Sequence, residues 1–124
     1  MKSEKKILII DDVESNIISL VHILKPSYRL YTAENGEKGL EYAKKYKPDL
    51  ILLDIILPEM SGYDVIKELK ENEKTKNIPV LFLSGLNDVE NIGKGMVLGA
   101  VDFITKPFDV NQVKTKVEAR LNLI

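Results

Sequence analysis

The chain predicts an α/β protein with five βα units and a doubly wound parallel sheet, on three observations. Continuous apolar runs recur at residues 7–10, 50–53 and 80–83, each short and each ending at a polar residue. Strands covered by helices on both faces have this character, because neither side meets water. Segments with apolar residues three and four apart lie between the runs, which is helical spacing. Strict alternation of the two with short connections implies a parallel sheet between two helical layers.

The elements follow in chain order. The first strand, residues 7–10, leads to a helix carrying Val13, Ile17, Leu20, Val21 and Leu24 on one face, which Pro26 closes. "YRLYTA", residues 28–33, reads as a second strand with polar residues inside it, suited to a sheet edge. A second helix carries Leu40 and Ala43 and stops at Pro48. "LILLD", residues 50–54, is the third strand, and a helix with Val65, Ile66 and Leu69 follows. Pro79 opens the fourth strand, where its missing N–H does least harm. Val89, Ile92 and Met96 mark a fourth helix, and "VDFI", residues 101–104, a fifth strand of edge character. Val110, Val113, Val117, Leu121 and Ile124 mark the last helix. Ser61 before Asp64, Asn87 before Glu90 and Asp109 before Gln112 are each spaced to cap a helix and receive a reciprocal contact. With the two more polar strands at the edges, the strand order is 2-1-3-4-5.

Composition limits the function classes. The 124 residues, 44% hydrophobic and 30% charged, suit one domain, residues 1–124, with one core. The 18 basic and 19 acidic residues balance to a net charge of -1, which argues against a nucleic-acid binder or a membrane-surface helix. There is no cysteine, hence no disulfide framework and no zinc–thiolate site. No apolar run approaches the ~20 residues of a membrane span, and the apolar run at the start, "MKSEKKILII", is shorter than a secretory signal is expected to have. These features suggest a cytoplasmic protein whose partner is another protein or a small ligand.

In an open parallel sheet, ligands bind beyond the carboxyl ends of the strands where the strand order reverses, here between strands 1 and 3. Strand 1 ends at Asp11 and Asp12, strand 3 at Asp54 and strand 4 at Ser84, while strand 5 leads to Lys106. Like charges ~4 Å apart repel by ~4 kcal/mol at an effective dielectric near 20, so such a group of carboxylates calls for a cation. Oxygen ligands without His or Cys favour Mg²⁺. Three carboxylates, Lys106 and one divalent ion sum to zero formal charge, so the pocket can receive a phosphoryl group with Asp54 as nucleophile. A lone acid at a strand end is commonly a cap or a loop residue. Its company carries the argument.

Asp11-Asp12, Asp54 with Pro58 and Gly62 after it, Ser84, and "ITKPF" with Lys106-Pro107 resemble the receiver domain of two-component response regulators over essentially the whole chain. The resemblance implies a flavodoxin-like receiver fold and a signalling switch, not an enzyme with its own substrate. Asp54 would take a phosphoryl group from phosphohistidine on a sensor histidine kinase or phosphotransfer protein. Asp12, Asp54 and the backbone carbonyl of Ile56 would ligate Mg²⁺ directly, and Asp11 mostly through water; Mn²⁺ would suit the same ligands. Lys106 would pair with the phosphoryl oxygens, its peptide bond to Pro107 usually cis. Ser84 would move to hydrogen-bond a phosphoryl oxygen, with Phe103 as the aromatic switch residue. The surface of the fourth helix, fifth strand and fifth helix would report the change to an output domain or downstream target, or by a phosphorylation-promoted homodimer.

Departures from the family pattern are Ser84, where Thr is commoner, and apolar Ile56, where some relatives are polar. Two rival functions stay open: a Mg²⁺-dependent aspartyl phosphatase, which would want an acid at position 56, and a protein-binding module that ignores phosphate. His22, the only histidine, reads as an exposed residue of the first helix. "GKGMVLG", residues 93–99, superficially matches a dinucleotide fingerprint but follows no strand directly. Its glycines predict a fourth helix of low local stability. The apolar period of the last helix runs to Ile124 without a stop, which favours a piece of a longer protein.

Overall fold

The apolar runs become the inner strands of a sheet in the computed structural model of the chain, which describes residues 4–85 and 89–122. β1 (Lys6–Ile10), β3 (Leu50–Asp54) and β4 (Val80–Gly85) lie inside, flanked by β2 (Arg29–Ala33) and β5 (Asp102–Lys106). The order is β2-β1-β3-β4-β5 and every pairing is parallel. The two strands with polar residues are the edges, as their composition requires.

The side-chain period of two divides the apolar strands between two layers. Leu8, Ile10, Ile51, Leu53, Val80 and Phe82 meet Leu40 and Ala43 of α2 (Gly36–Tyr46) and Val65, Ile66 and Leu69 of α3 (Gly62–Glu71). Ile7, Ile9, Leu50, Leu52, Leu81 and Leu83 meet Leu20 and Leu24 of α1 (Glu14–Leu24) and Val113, Val117 and Leu121 of α5 (Val110–Leu121). β3 is buried at all five positions, so its carboxyl end is held within the core.

Helix α4 (Val89–Leu98) approaches the sheet through a glycine. A Cβ on Gly95 would lie 2.4 Å from the Phe82 ring, so the helix can sit this close only without one. Gly99, after the helix, has φ +123, a conformation that other residues rarely adopt.

Capping agrees with the sequence at Ser61 and Asp64, which form a complete capping box. Asp109 accepts from the Gln112 N–H at 2.8 Å, but Gln112 does not reach back; its amide turns to Thr105 of β5 instead. Asn87 lies outside the described residues, as do the Glu90 side chain and Ile124. Three residues assigned to apolar faces are exposed. Val13 is the N-cap of α1, Met96 lies on the outer side of α4, and Val110 starts α5 before the helix meets the sheet. A periodic face lengthened by one residue at its end runs past the core. His22 is exposed, as expected.

Candidate functional site

β1 hands the chain to the site through Asp11, whose N–H donates to the Ala33 carbonyl at 3.1 Å, extending the β1–β2 ladder by one residue. Its carboxylate is fully buried. Oδ1 accepts from the Val13 N–H at 2.9 Å, and Oδ2 accepts from Asn16 Nδ2 at 3.2 Å. Helix α1 has no side-chain cap of its own, and its first residues are organised around this acid. Asp12, next in the chain, is exposed to the cleft.

Asp54 closes β3 and is buried. Its Oδ1 accepts from the Ile56 N–H at 3.3 Å and its Oδ2 meets Lys106 Nζ at 3.0 Å. Gly62, at the start of α3, lets the helix approach this corner: a Cβ there would fall 2.3 Å from the Asp54 carbonyl oxygen. The Gly62 N–H donates to the Ile55 carbonyl at 2.7 Å, fixing the loop between.

Lys106 comes from the far edge of the sheet, and its peptide bond to Pro107 is cis, as the resemblance implies. The ammonium spans both buried acids, at 3.0 Å from Asp54 and 3.5 Å from Asp11. Burial, then the charge of Asp11, pushes the Asp54 carboxyl from its usual 3.8 up to about 6, against the opposing pull of Lys106 and the Ile56 N–H.

Asp11, Asp12 and Asp54 each present an oxygen, and these oxygens lie within 4.8 Å of one another. Carboxylate oxygens grouped this closely are the kind of donor set that a hard divalent cation such as Mg²⁺ takes, with waters completing its shell. The donor set is all oxygen, and Ser84 Oγ is buried with no hydrogen-bond partner among the described residues. An orphaned buried hydroxyl costs about 1–3 kcal/mol, which a ligand oxygen would recover. The residues present therefore fit a hard divalent cation together with an oxyanion.

Asp12, Asp54, Ser84 and Lys106 line one cleft of about 560 Å³, with Val13, Ile56 and Pro58 at its apolar margin. Six of the sequence-selected residues thus converge, buried Asp11 joining the five that line the cleft through its contact with Lys106. The Ile56 side chain is 71% exposed and touches none of the acids by hydrogen bond; its N–H does. Phe103 does not line the cleft. It sits half-buried three residues before Lys106, packed toward the α2–α3 layer. Sequence reasoning missed Asn16, whose only signal is an amide one turn into a helix whose start is otherwise uncapped.

A doubly wound sheet whose switch point holds an acid cluster bridged by a lysine is an α/β domain with a charged, metal-competent cleft at its strand ends. The chain belongs to the response regulator receiver domain family, whose model matches residues 7–118. It is 43% identical over 119 residues to a Vibrio cholerae protein named "Probable cyclic di-GMP phosphodiesterase", covering 96% of this chain and 27% of that one. It is 40% identical over 118 residues to the alkaline phosphatase synthesis transcriptional regulatory protein PhoP of Bacillus subtilis, covering 94% of this chain and 48% of PhoP. Among solved structures, chemotaxis protein CheY4 of Vibrio cholerae superimposes with a TM-score of 0.90 at 28% identity, covering 96% of this chain and 100% of CheY4. The chain spans about a quarter to a half of the length of these two curated relatives. No helix among the described residues is long and apolar enough to cross a membrane.

Proposed function

We propose that the chain, residues 1–124, is one receiver domain acting in the cytoplasm, and that Asp54 accepts a phosphoryl group from phosphohistidine on a sensor histidine kinase or phosphotransfer protein. The observation that carries this reading is the Lys106 ammonium, 3.0 Å from Asp54 and 3.5 Å from Asp11, over an acid cluster able to hold a metal. In the transfer, an Asp54 oxygen forms a bond to phosphorus as the phosphorus–nitrogen bond breaks, and the electron pair leaves with the imidazole. Asp12, Asp54 and the Ile56 carbonyl would hold Mg²⁺, with Asp11 acting through water. The ion would supply charge neutralisation for the incoming phosphoryl oxygens. Lys106 exchanges its contact with the Asp54 carboxylate for one with those oxygens, and the free Ser84 hydroxyl donates to another. Loss of the Lys106–Asp54 pair and capture of Ser84 then change the β5 region, and the surface of α4, β5 and α5 carries the signal to an output domain or target. Such a switch is a local charge change acting on a bistable element.

Intact mass after incubation with a small-molecule phosphodonor and Mg²⁺ tests this. The expected result is a gain of one phosphoryl group, lost on chelation and lost in Asp54→Asn. No gain, with Mg²⁺ binding confirmed separately, would leave a protein-binding module of the same fold that ignores phosphate.

A further inference from the structure

An edge strand leaves one row of backbone groups without a neighbour strand, and among the described residues β5 pairs only with β4. Helix α5 covers part of that edge with side chains spaced one turn apart, which places them on one face. Gln112 accepts from the Thr105 N–H at 3.3 Å and donates to Thr105 Oγ1 at 3.2 Å. Arg120 Nη2 donates to the Val101 carbonyl at 3.4 Å. Between them, Lys116 Nζ donates to the Phe103 carbonyl at 2.6 Å and to Asp102 Oδ1 at 3.1 Å, and it stands 4.2 Å from the centre of the Phe103 ring.

Lys116 is thus the tightest rung of this ladder, and it alone holds both the backbone and the ring of one residue. Its side chain is only 22% exposed, so the contact with the ring is partly desolvated. A cation over an aromatic face is attracted by the ring quadrupole, and the attraction is lost once the ring moves away.

We infer that Lys116 is a positioning residue for the switch: it latches the Phe103 ring in its resting place and ties β5 to α5. This rests on the receiver reading above. A phosphoryl group that draws Ser84 and Lys106 toward it would displace β5, and the Phe103 ring would have to leave the ammonium. The latch then sets the resting population of the switch and opposes binding of anything that mimics the phosphoryl group.

The test is a titration of the domain with beryllofluoride, an unreactive phosphoryl mimic, in the presence of Mg²⁺, followed through the aromatic NMR signals of Phe103. Lys116→Met and Lys116→Gln remove the charge, the second keeping a donor for the Phe103 carbonyl, while Lys116→Arg keeps the charge. We expect both neutral variants to shift the ring signals before any mimic is added. They should also tighten the apparent affinity by about two- to thirty-fold, the range that cation–π contacts span from exposed to desolvated. Lys116→Arg should stay near the unsubstituted chain, and in a Phe103→Leu background Lys116→Met should leave the affinity unchanged. Equal midpoints for the unsubstituted and neutral chains overturn the latch, as does an undiminished effect in the Phe103→Leu background. If the unsubstituted chain binds no mimic, the reading of the site itself fails and takes the latch with it.

Discussion

β3 and β5 both send a charged group to one cleft, yet they are built in opposite ways. β3 is central, buried at every position, and ends at Asp54. β5 is an edge, with one of its five residues buried, and leads directly to Lys106. Asp54 is anchored by the core, whereas its counter-ion comes from a strand held on one side by side chains of α5. The same ion pair therefore joins a fully buried strand to a less buried one. The proposed switch would use that difference, because a ligand shifts an equilibrium only through contacts that differ between its two states.

The largest expected effect breaks the comparison at its rigid end. Leu53→Ala removes a fully buried side chain from β3 and should cost about 2–5 kcal/mol in urea unfolding. Phe103→Leu, on half-buried β5, should cost about 1 kcal/mol. Equal losses would mean that β5 is anchored as firmly as β3.

A smaller effect comes from the charge itself. Asp54 holds its proton more tightly folded, at about 6, than its ordinary 3.8, so without metal its ionised form weakens the fold. That cost is complete above about pH 6 and disappears as the pH falls toward 3.8. In chelator at pH 7, Asp54→Asn should therefore raise stability by about 1–2 kcal/mol, discounted for the partner that Lys106 loses. The gain should shrink at pH 5, and Mg²⁺ should stabilise the unsubstituted chain more than the variant. A gain that grows on acidification would contradict the account of the buried acid.

The smallest effect on stability is expected at the cleft margin. Ile56 is 71% exposed, so Ile56→Asn should change unfolding by less than about 0.5 kcal/mol. We expect it to alter the lifetime of the acyl phosphate, since an apolar side chain there offers nothing to position a hydrolytic water. An unchanged dephosphorylation rate would remove Ile56 from any part in hydrolysis.

What the sequence determined by itself is what short-range pattern can carry. Runs such as "LILLD" are buried strands because no alternation with polar residues survives in them, and the polar positions in "YRLYTA" and "VDFI" send those strands to the edges. Given that order, the ends of the strands are fixed, and with them the meeting of Asp11, Asp12, Asp54, Ser84 and Lys106. The tertiary structure decided what depends on distance between elements far apart in the chain. Gly95 looked like a weakness of the fourth helix and is the gap that admits the Phe82 ring. Gln112 looked like half of a capping box and instead grips Thr105. Lys116 had no local signal at all, because its partners Asp102 and Phe103 lie 14 and 13 residues away. The raised pKa of Asp54 likewise belongs to no segment. It is set by the burial that the sheet imposes and by the neighbour that β1 brings beside it.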